Sequence, residues 1–580
     1  MRLVVLPLAL LALCACSPRS TDAPAAGADA TADTTPVTPA STHEFNPAID
    51  AADFEEHVKV LSSDAFGGRG PGTPGEDAAV DYIKTQFARI GLQPGNGSNW
   101  FQTVPMVETT ADEATSLKLD VAGKSQELKF GSDMVIGTRT GQADVNVKDS
   151  PLVFVGYGVD APEQHWNDYA GLDVRGKTVV MLVNDPGFHA HDAKLFDGKR
   201  MTYYGRWTYK FDEAASKGAA AALIIHDAEG ASYGWDVVKN SWSGPQYDLP
   251  AKDDPAPRLP AQGWITGDAA KALFTGAGLD LDKLRAAANK RGFKPVPINA
   301  KVSFDLKSSS IEKTSRNVIG LLPGSETPDE AILYMAHWDH LGTHAGDAGD
   351  NIYNGAVDNA TGVAGILEIA EAFRKAPTPP KRSILFLAVT LEESGLLGSK
   401  YYVAHPVVPL DKTVAVFNID ALSPIGKARD ITVVGKGSSQ LEDWLKTVLA
   451  GQKRKAVGET NPAAGYYFRS DHFNFAKAGV PALYIDSGTN LLAGGQAAGD
   501  AAAQDYTDHR YHKPGDQFDA STWKVDGIVE DLEAVQAVGV TLANDGQWPN
   551  WYGGNPFKAA RDAMRPAAPA LVQVAEPAGP

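Results

Sequence analysis

Acidic and imidazole side chains collect where buried strands should end. The apolar run Ala331-Ile-Leu-Tyr-Met-Ala336 leads into His337-Trp-Asp339-His340. A second run from Ser383 leads into Glu392-Glu393, and a third, from Val414, into Asp420. Between the first two, Asn354-Gly-Ala-Val-Asp358-Asn-Ala-Thr-Gly362 opens a helical stretch, and Tyr511-His512-Lys-Pro-Gly-Asp516 follows later. Buried strand ends have no structural need for so many ionisable groups, and unpaired ones are costly to bury. A metal site accounts for them together. Two imidazoles with three carboxylates and no thiolate suit zinc, and manganese or cobalt could bind the same donors. Asp358, Glu393 and Asp420 with two divalent cations and one hydroxide leave no net charge, so the charges favour two ions sharing an activated water.

The elements that must carry these groups follow from hydrophobic pattern. Near-continuous apolar runs at 317–322, 331–336, 383–389, 414–419, 431–434 and 482–485 suit strands buried on both faces of a mainly parallel sheet. Amphipathic stretches at 363–373, 440–450 and 526–542 read as helices. The expected fold class is therefore α/β, a mainly parallel mixed sheet sandwiched by helices. In such sheets the functional crevice lies outside the carboxyl ends of the strands. A helical pattern at 50–92, broken by the Gly-rich loop 66–76, should pack on this body. Strand-like pieces at 116–121, 152–155 and 178–183, with a small-residue helix and strand at 212–225, form a middle α+β module.

The motifs resemble the co-catalytic di-zinc peptidase family of bacterial leucyl-type aminopeptidases and their glutamate carboxypeptidase relatives. They are His337-Trp-Asp339, Gly355-Ala-Val-Asp358-Asn359-Ala-Thr-Gly362, Glu392-Glu393-Ser-Gly-Leu-Leu-Gly398-Ser399, Asn418-Ile-Asp420 and Tyr511-His512-Lys-Pro-Gly-Asp516. The middle module resembles that family's protease-associated insertion, through Val153-Phe-Val-Gly-Tyr-Gly158, Asp168-Tyr-Ala-Gly-Leu-Asp173, Gly176-Lys-Thr-Val-Val180 and Lys217-Gly-Ala-Ala-Ala221.

The resemblance implies a zinc-dependent exopeptidase with two zinc ions per chain and a peptide substrate. His337 and Asp420 then hold one zinc, Glu393 and His512 the other, and Asp358 bridges both. Glu392 is the base that takes a proton from the bridging water, and Asp339 orients the His337 imidazole. Tyr466-Tyr-Phe-Arg469-Ser470-Asp471-His472 is either a substrate-side loop or a helix start capped by Asp471. His340, His344, His405 and His509 are assigned to hydrogen-bonded loops, and His189 with His191 makes a weak metal signal. Aromatic segments 201–209 and 233–235 either wall a cleft or pack a small core.

An aminopeptidase is the leading activity. A carboxypeptidase, with Arg469 as a candidate cation for the free carboxylate, stays open. The family's one-zinc aminoacyl cyclases disagree with two intact metal sites. A non-catalytic receptor on this fold disagrees with the retention of every ligand and the base.

The rest of the chain concerns location. The sequence has 580 residues and a net charge of −18, from 53 basic and 71 acidic residues. That acidity excludes a nucleic-acid binder, which needs a basic surface. Its two cysteines are Cys14 and Cys16. A charged start, the apolar run 3–13 and Leu13-Cys14-Ala15-Cys16 read as an export signal ending in a lipobox, with Cys16 lipidated. The protein is expected to be exported and lipid-anchored, on the periplasmic side of a bacterial outer membrane or at the cell surface. Residues 17–46 are rich in Ala, Thr, Pro and Ser and read as a flexible tether with a reach of roughly 30 Å. The expected organisation is a signal at 1–16, this tether, a catalytic body at 47–115 and 306–545, the insertion at 116–305, and a tail at 546–580. Oligomeric state is not encoded in any motif.

Overall fold

The computed structural model describes residues 43–565, apart from 191, 193, 345, 347 and 348. The expected signal at 1–16 with Cys16, the tether up to residue 42, His191, and the last fifteen residues of the tail lie outside the described residues.

Two helices open the described chain. Helix α1 (Ala51–Leu61) starts where the Asp50 carboxylate accepts the N–H groups of Ala52 and Asp53. Helix α2 (Pro74–Ile90) is capped by Thr73, has proline at its first position, and ends at Gly91, whose φ of 91° suits a residue without Cβ. Their apolar faces (Phe54, Val58, Ile83, Phe87) are buried in one core with helix α3 (Thr361–Lys375). Each fully buried side chain of this size contributes about 1.5–3 kcal/mol, so this contact fixes the Gly-rich loop between α1 and α2.

The body sheet is built on β1 (Val296–Leu322), β2 (Thr327–His337), β3 (Arg382–Val389) and β4 (Thr413–Ile419). It is extended by β5 (Asp430–Val433), β6 (Lys455–Gly458) and β7 (Ala482–Asp486). The end of β1 lies antiparallel to β3, and β3, β2, β4 and β7 then run parallel, side by side. Strand β5 reverses against β7, and β6 runs parallel to β5. Every residue of β3 and β4 is buried. Alternate side chains go to opposite faces: Ile332, Tyr334 and Ala336 meet α3, whereas Leu333 and Met335 join a second core with Leu385, Tyr402 and Phe475. The expected sandwiched, mainly parallel sheet is thus the observed architecture.

Residues 117–306 have cores of their own. The strands Thr178–Leu182, Ala221–Ile225 and Ala261–Ile265 are buried throughout, and the central Ala221–Ile225 runs parallel to both neighbours. The first half of β1 belongs to this sheet, pairing with Ser116–Val121 and Asp144–Phe154. Its second half pairs with Phe101–Ala111 and then with β3 in the body. One 27-residue strand therefore serves both sheets. The change of texture at Arg316 falls inside it, because burial alternates over 298–306, lapses over 307–314 and becomes continuous over 317–320. The strand Phe101–Ala111 was not anticipated, since Pro105 and interspersed Thr and Glu disguise its alternation. Among the described residues, no helix is long and apolar enough to cross a membrane.

Candidate metal centre

Parallel register brings the chemistry together. His337 is the last residue of β2, level with Val389 at the end of β3, and Asp420 follows the last residue of β4. All reach one edge of the sheet, as the strand order requires. Asp358 enters from the turn ahead of α3, and His512 from the loop after helix α4 (Gly495–His509).

Asp358 lies between the two histidines. Its Oδ1 is 3.3 Å from His337 Nε2, and its Oδ2 is 3.3 Å from His512 Nε2. His337 Nε2 is also 3.1 Å from Asp420 Oδ1, and His512 Nε2 is 3.1 Å from Glu393 Oε2. A tetrahedral zinc with bonds near 2.0–2.1 Å sets neighbouring donors roughly 3.3 Å apart. The donor types and spacings therefore suit zinc. Burial alone raises the Asp358 carboxyl, but the imidazoles on its two oxygens outweigh it and hold it well below the usual range. Burial likewise lowers His512, yet Glu393 and Asp358 carry it up to about 10.

Glu392 is half-buried, and its carboxylate lies within 4.8 Å of donor atoms of His337 and Asp420. Burial pushes it well above the usual range; His337 opposes this, while Glu393, Asp420 and Asp471 add to it. Asp339 differs from the expected arrangement. Its carboxylate is 3.8 Å from His337 Nδ1, too far for a hydrogen bond, and the imidazole is met by the Asp339 backbone carbonyl at 3.1 Å. The carboxylate accepts the N–H groups of Glu392 and Glu393 at 3.2 and 3.4 Å, so it fixes the backbone carrying those acids.

The 466–472 loop divides. Arg469 lines the cleft that contains His337 and Glu392. Asp471 precedes the helix His472–Lys477 but makes no side-chain cap; it accepts from Ser399 Oγ at 2.5 Å. His472 is buried against Tyr467 and Tyr484.

Several supporting residues escaped the motif reading. His340 lies in a loop, and its Nδ1 is 2.7 Å from Glu393 Oε1, the oxygen opposite the one facing His512. The buried Arg69 donates to the carbonyls of Leu61, Trp338, Asn354 and Gly355, tying the His337 and Asp358 loops together. Asp516 accepts from Val357 N and Asp358 N. Asn359 donates to Ile419 O and accepts from Ala421 N, and Ser470 Oγ donates to Asp420. Only position in the Gly-rich loop could have flagged Arg69. Leu391, Ala421 and His512 all have φ between 54° and 57°. Left-handed backbone at non-glycine residues is strained, and here it lies at His512 and next to Glu392 and Asp420.

Residues 317–535 match the family model described as Peptidase family M28, which accords with the resemblance drawn from the five motifs. Over 161 residues the chain is 32% identical to Aminopeptidase NAALADL1 of Mus musculus, covering 27% of this chain and 20% of that protein. Over 397 residues it is 24% identical to the Probable lipoprotein aminopeptidase LpqL of Mycobacterium tuberculosis, covering 58% of this chain and 76% of that one. The aminopeptidase from Aneurinibacillus sp. strain AM-1 superposes with a TM-score of 0.49 at 21% identity, over 85% of this chain and 94% of that one. The chain spans less than half the length of the curated relatives that it matches most strongly.

Proposed function

We propose that this chain, with its match to peptidase family M28 as the premise, is a zinc exopeptidase that releases residues from the N-terminus of peptides. The observation that carries this reading is Asp358, with one oxygen 3.3 Å from each of two histidines that each meet a further carboxylate. His337 and Asp420 would hold one zinc, and Glu393 and His512 the other, with Asp358 common to both. Zinc there supplies a Lewis acid for the scissile carbonyl and makes water more acidic.

The chain's own residues do the rest. Glu392 takes a proton from the attacking water and passes it to the leaving amine. Asp339 holds Glu392 through its backbone N–H, which keeps the carboxylate turned towards the reacting groups. Tyr511 stacks on the His512 ring at 4.0 Å and limits its rotation. Residues 47–115 and 306–545 form the peptidase body in this reading, and 116–305 a protease-associated insertion. Leu13-Cys14-Ala15-Cys16, together with the printed name of the mycobacterial relative, supports export and a lipid anchor at Cys16.

Metal analysis of the purified protein is expected to find close to two zinc ions per chain; a metal-free active enzyme overturns the mechanism. Aminoacyl-nitroanilides should be cleaved, and N-blocked peptides should not. The opposite pattern replaces the aminopeptidase with a carboxypeptidase. Cys16→Ala should move the protein out of the membrane fraction.

A further inference from the structure

Two carboxylates of the centre each turn a single oxygen to one histidine. Asp420 turns Oδ1 to His337, and its Oδ2 accepts from Ser470 Oγ. Glu393 turns Oε2 to His512, and its Oε1 lies 2.7 Å from His340 Nδ1. In both cases the oxygen left over is taken by a side chain outside the expected ligands. Glu393 has the greater need of this. A glutamate has one more rotatable bond than an aspartate, so its second oxygen swings more easily towards a cation.

His340 is built as a fixed donor. It is 1% exposed, and its ring lies against Gly355, where an added Cβ would come within 2.6 Å of the imidazole Cγ and Cδ2. Gly355 also has a φ of 56°, so glycine suits that position on both counts. The His340 N–H donates to Arg69 O at 3.3 Å, and the Arg69 guanidinium donates to Gly355 O, so one residue holds both sides of this packing. An ionised carboxylate only accepts, so Nδ1 carries the proton of the bond to Glu393. Nε2 is buried with no partner among the described residues, which leaves Glu393 as the ring's one hydrogen-bond partner among them. A bond to an ionised acceptor is roughly twice as strong as a neutral one, so the imidazole can compete for Oε1.

We propose that His340 is a positioning residue of the metal centre: by holding Glu393 Oε1 it limits Glu393 to one oxygen on the cation beside His512, and so keeps a coordination position there free for water or substrate. Catalytic zinc sites keep such a position open. A glutamate that closed on the cation with both oxygens would fill it. His340 itself touches neither substrate nor cation in this role; it acts through Glu393. The inference rests on the zinc reading above.

Cobalt takes the same donors as zinc, and its visible absorption weakens as its coordination number rises. The cobalt-substituted full chain therefore reads the change directly. His340→Ala should lose absorption from one ion, and kcat of the zinc-loaded protein should fall by about 10- to 100-fold. In His340→Asn the amide N–H₂ takes the place of Nδ1, and should restore most of both. The melting temperature of the metal-free proteins is the folding control. A wild-type spectrum in His340→Ala overturns the proposal. So does a His340→Asn protein no better than His340→Ala, because donation to Glu393 is then not the cause. Should neither variant fold, a crystal structure of the zinc-loaded wild type decides. Glu393 with one oxygen on the metal and the other on His340 supports the proposal; both oxygens on the metal, or His340 itself on the metal, overturns it. A wild type that binds no divalent metal is a different failure: it overturns the zinc reading, and the role of His340 falls with it.

Discussion

Asp168 in the inserted region and Asp358 in the body are almost equally hidden, at 1% and 5% exposure, yet their partners differ in kind. The Asp168 carboxylate accepts the N–H groups of Tyr157 and Val159 and the Trp166 indole. Asp185 nearby accepts both the N–H and the hydroxyl of Thr202. These acids are served by donors from their own loops, so their role ends with the fold. The oxygens of Asp358 face two imidazoles that in turn face Asp420 and Glu393. Such a cluster brings acceptors towards a common space, as a metal site would require. Burial of charge alone thus does not mark a reactive site; what the charge faces does.

The sharpest way to break this contrast is Glu392→Gln. Turnover should fall by about 10²- to 10⁴-fold while the zinc content stays that of the wild type, as measured by steady-state assay and metal analysis. A comparable loss from Asp168→Asn, at intact stability, would erase the distinction. Next in size is Arg69→Met, which leaves four buried carbonyls unserved at the junction of the His337 and Asp358 loops. Urea unfolding should show a loss of about 3–5 kcal/mol, and Arg69→Lys should recover little of it.

Asp185 sharpens the other side. Burial pushes its carboxyl from the ordinary 3.8 up to about 8. Because the folded value is the higher one, its stabilising contribution is full below about pH 4 and is lost as pH rises towards 8. Asp185→Asn should remove that slope, leaving a protein roughly 1–3 kcal/mol less pH-sensitive between pH 5 and 9. Turnover should be unchanged. Lys210, brought down to about 7 by the same burial, titrates nearby and limits the size of the effect. The smallest expected change is Ser470→Ala. It removes a donor to Asp420 and should weaken zinc binding by about 10- to 100-fold in a chelator competition, without loss of fold.

Much of the body was readable before any coordinates. Strands β3 and β4 and the last seven residues of β2 are buried on both faces, so their sequences are near-continuous apolar runs and their carboxyl ends are plain. The acids and histidines at those ends stand out for the same reason. The long strand β1 was harder, because it passes from one sheet to another and its burial pattern changes on the way. The contacts of His340 and Ser470 were not legible because each reaches a residue far away in sequence, Glu393 and Asp420. The Asp339 carboxylate was assigned to the nearest histidine, two residues back, whereas it serves N–H groups more than fifty residues on.

The sequence by itself determined which groups could do chemistry and that parallel strands would deliver them to one edge. Local hydrophobic period and residue type are written along the chain, and a strand end needs nothing distant to be recognised. The tertiary structure alone decided that the two oxygens of Asp358 point to different histidines, that Arg69 joins two loops, and that Arg206 from the inserted region shares a cleft with Glu392. Those are facts of packing between segments distant in the chain, and hydrogen-bond reach, not sequence spacing, sets them.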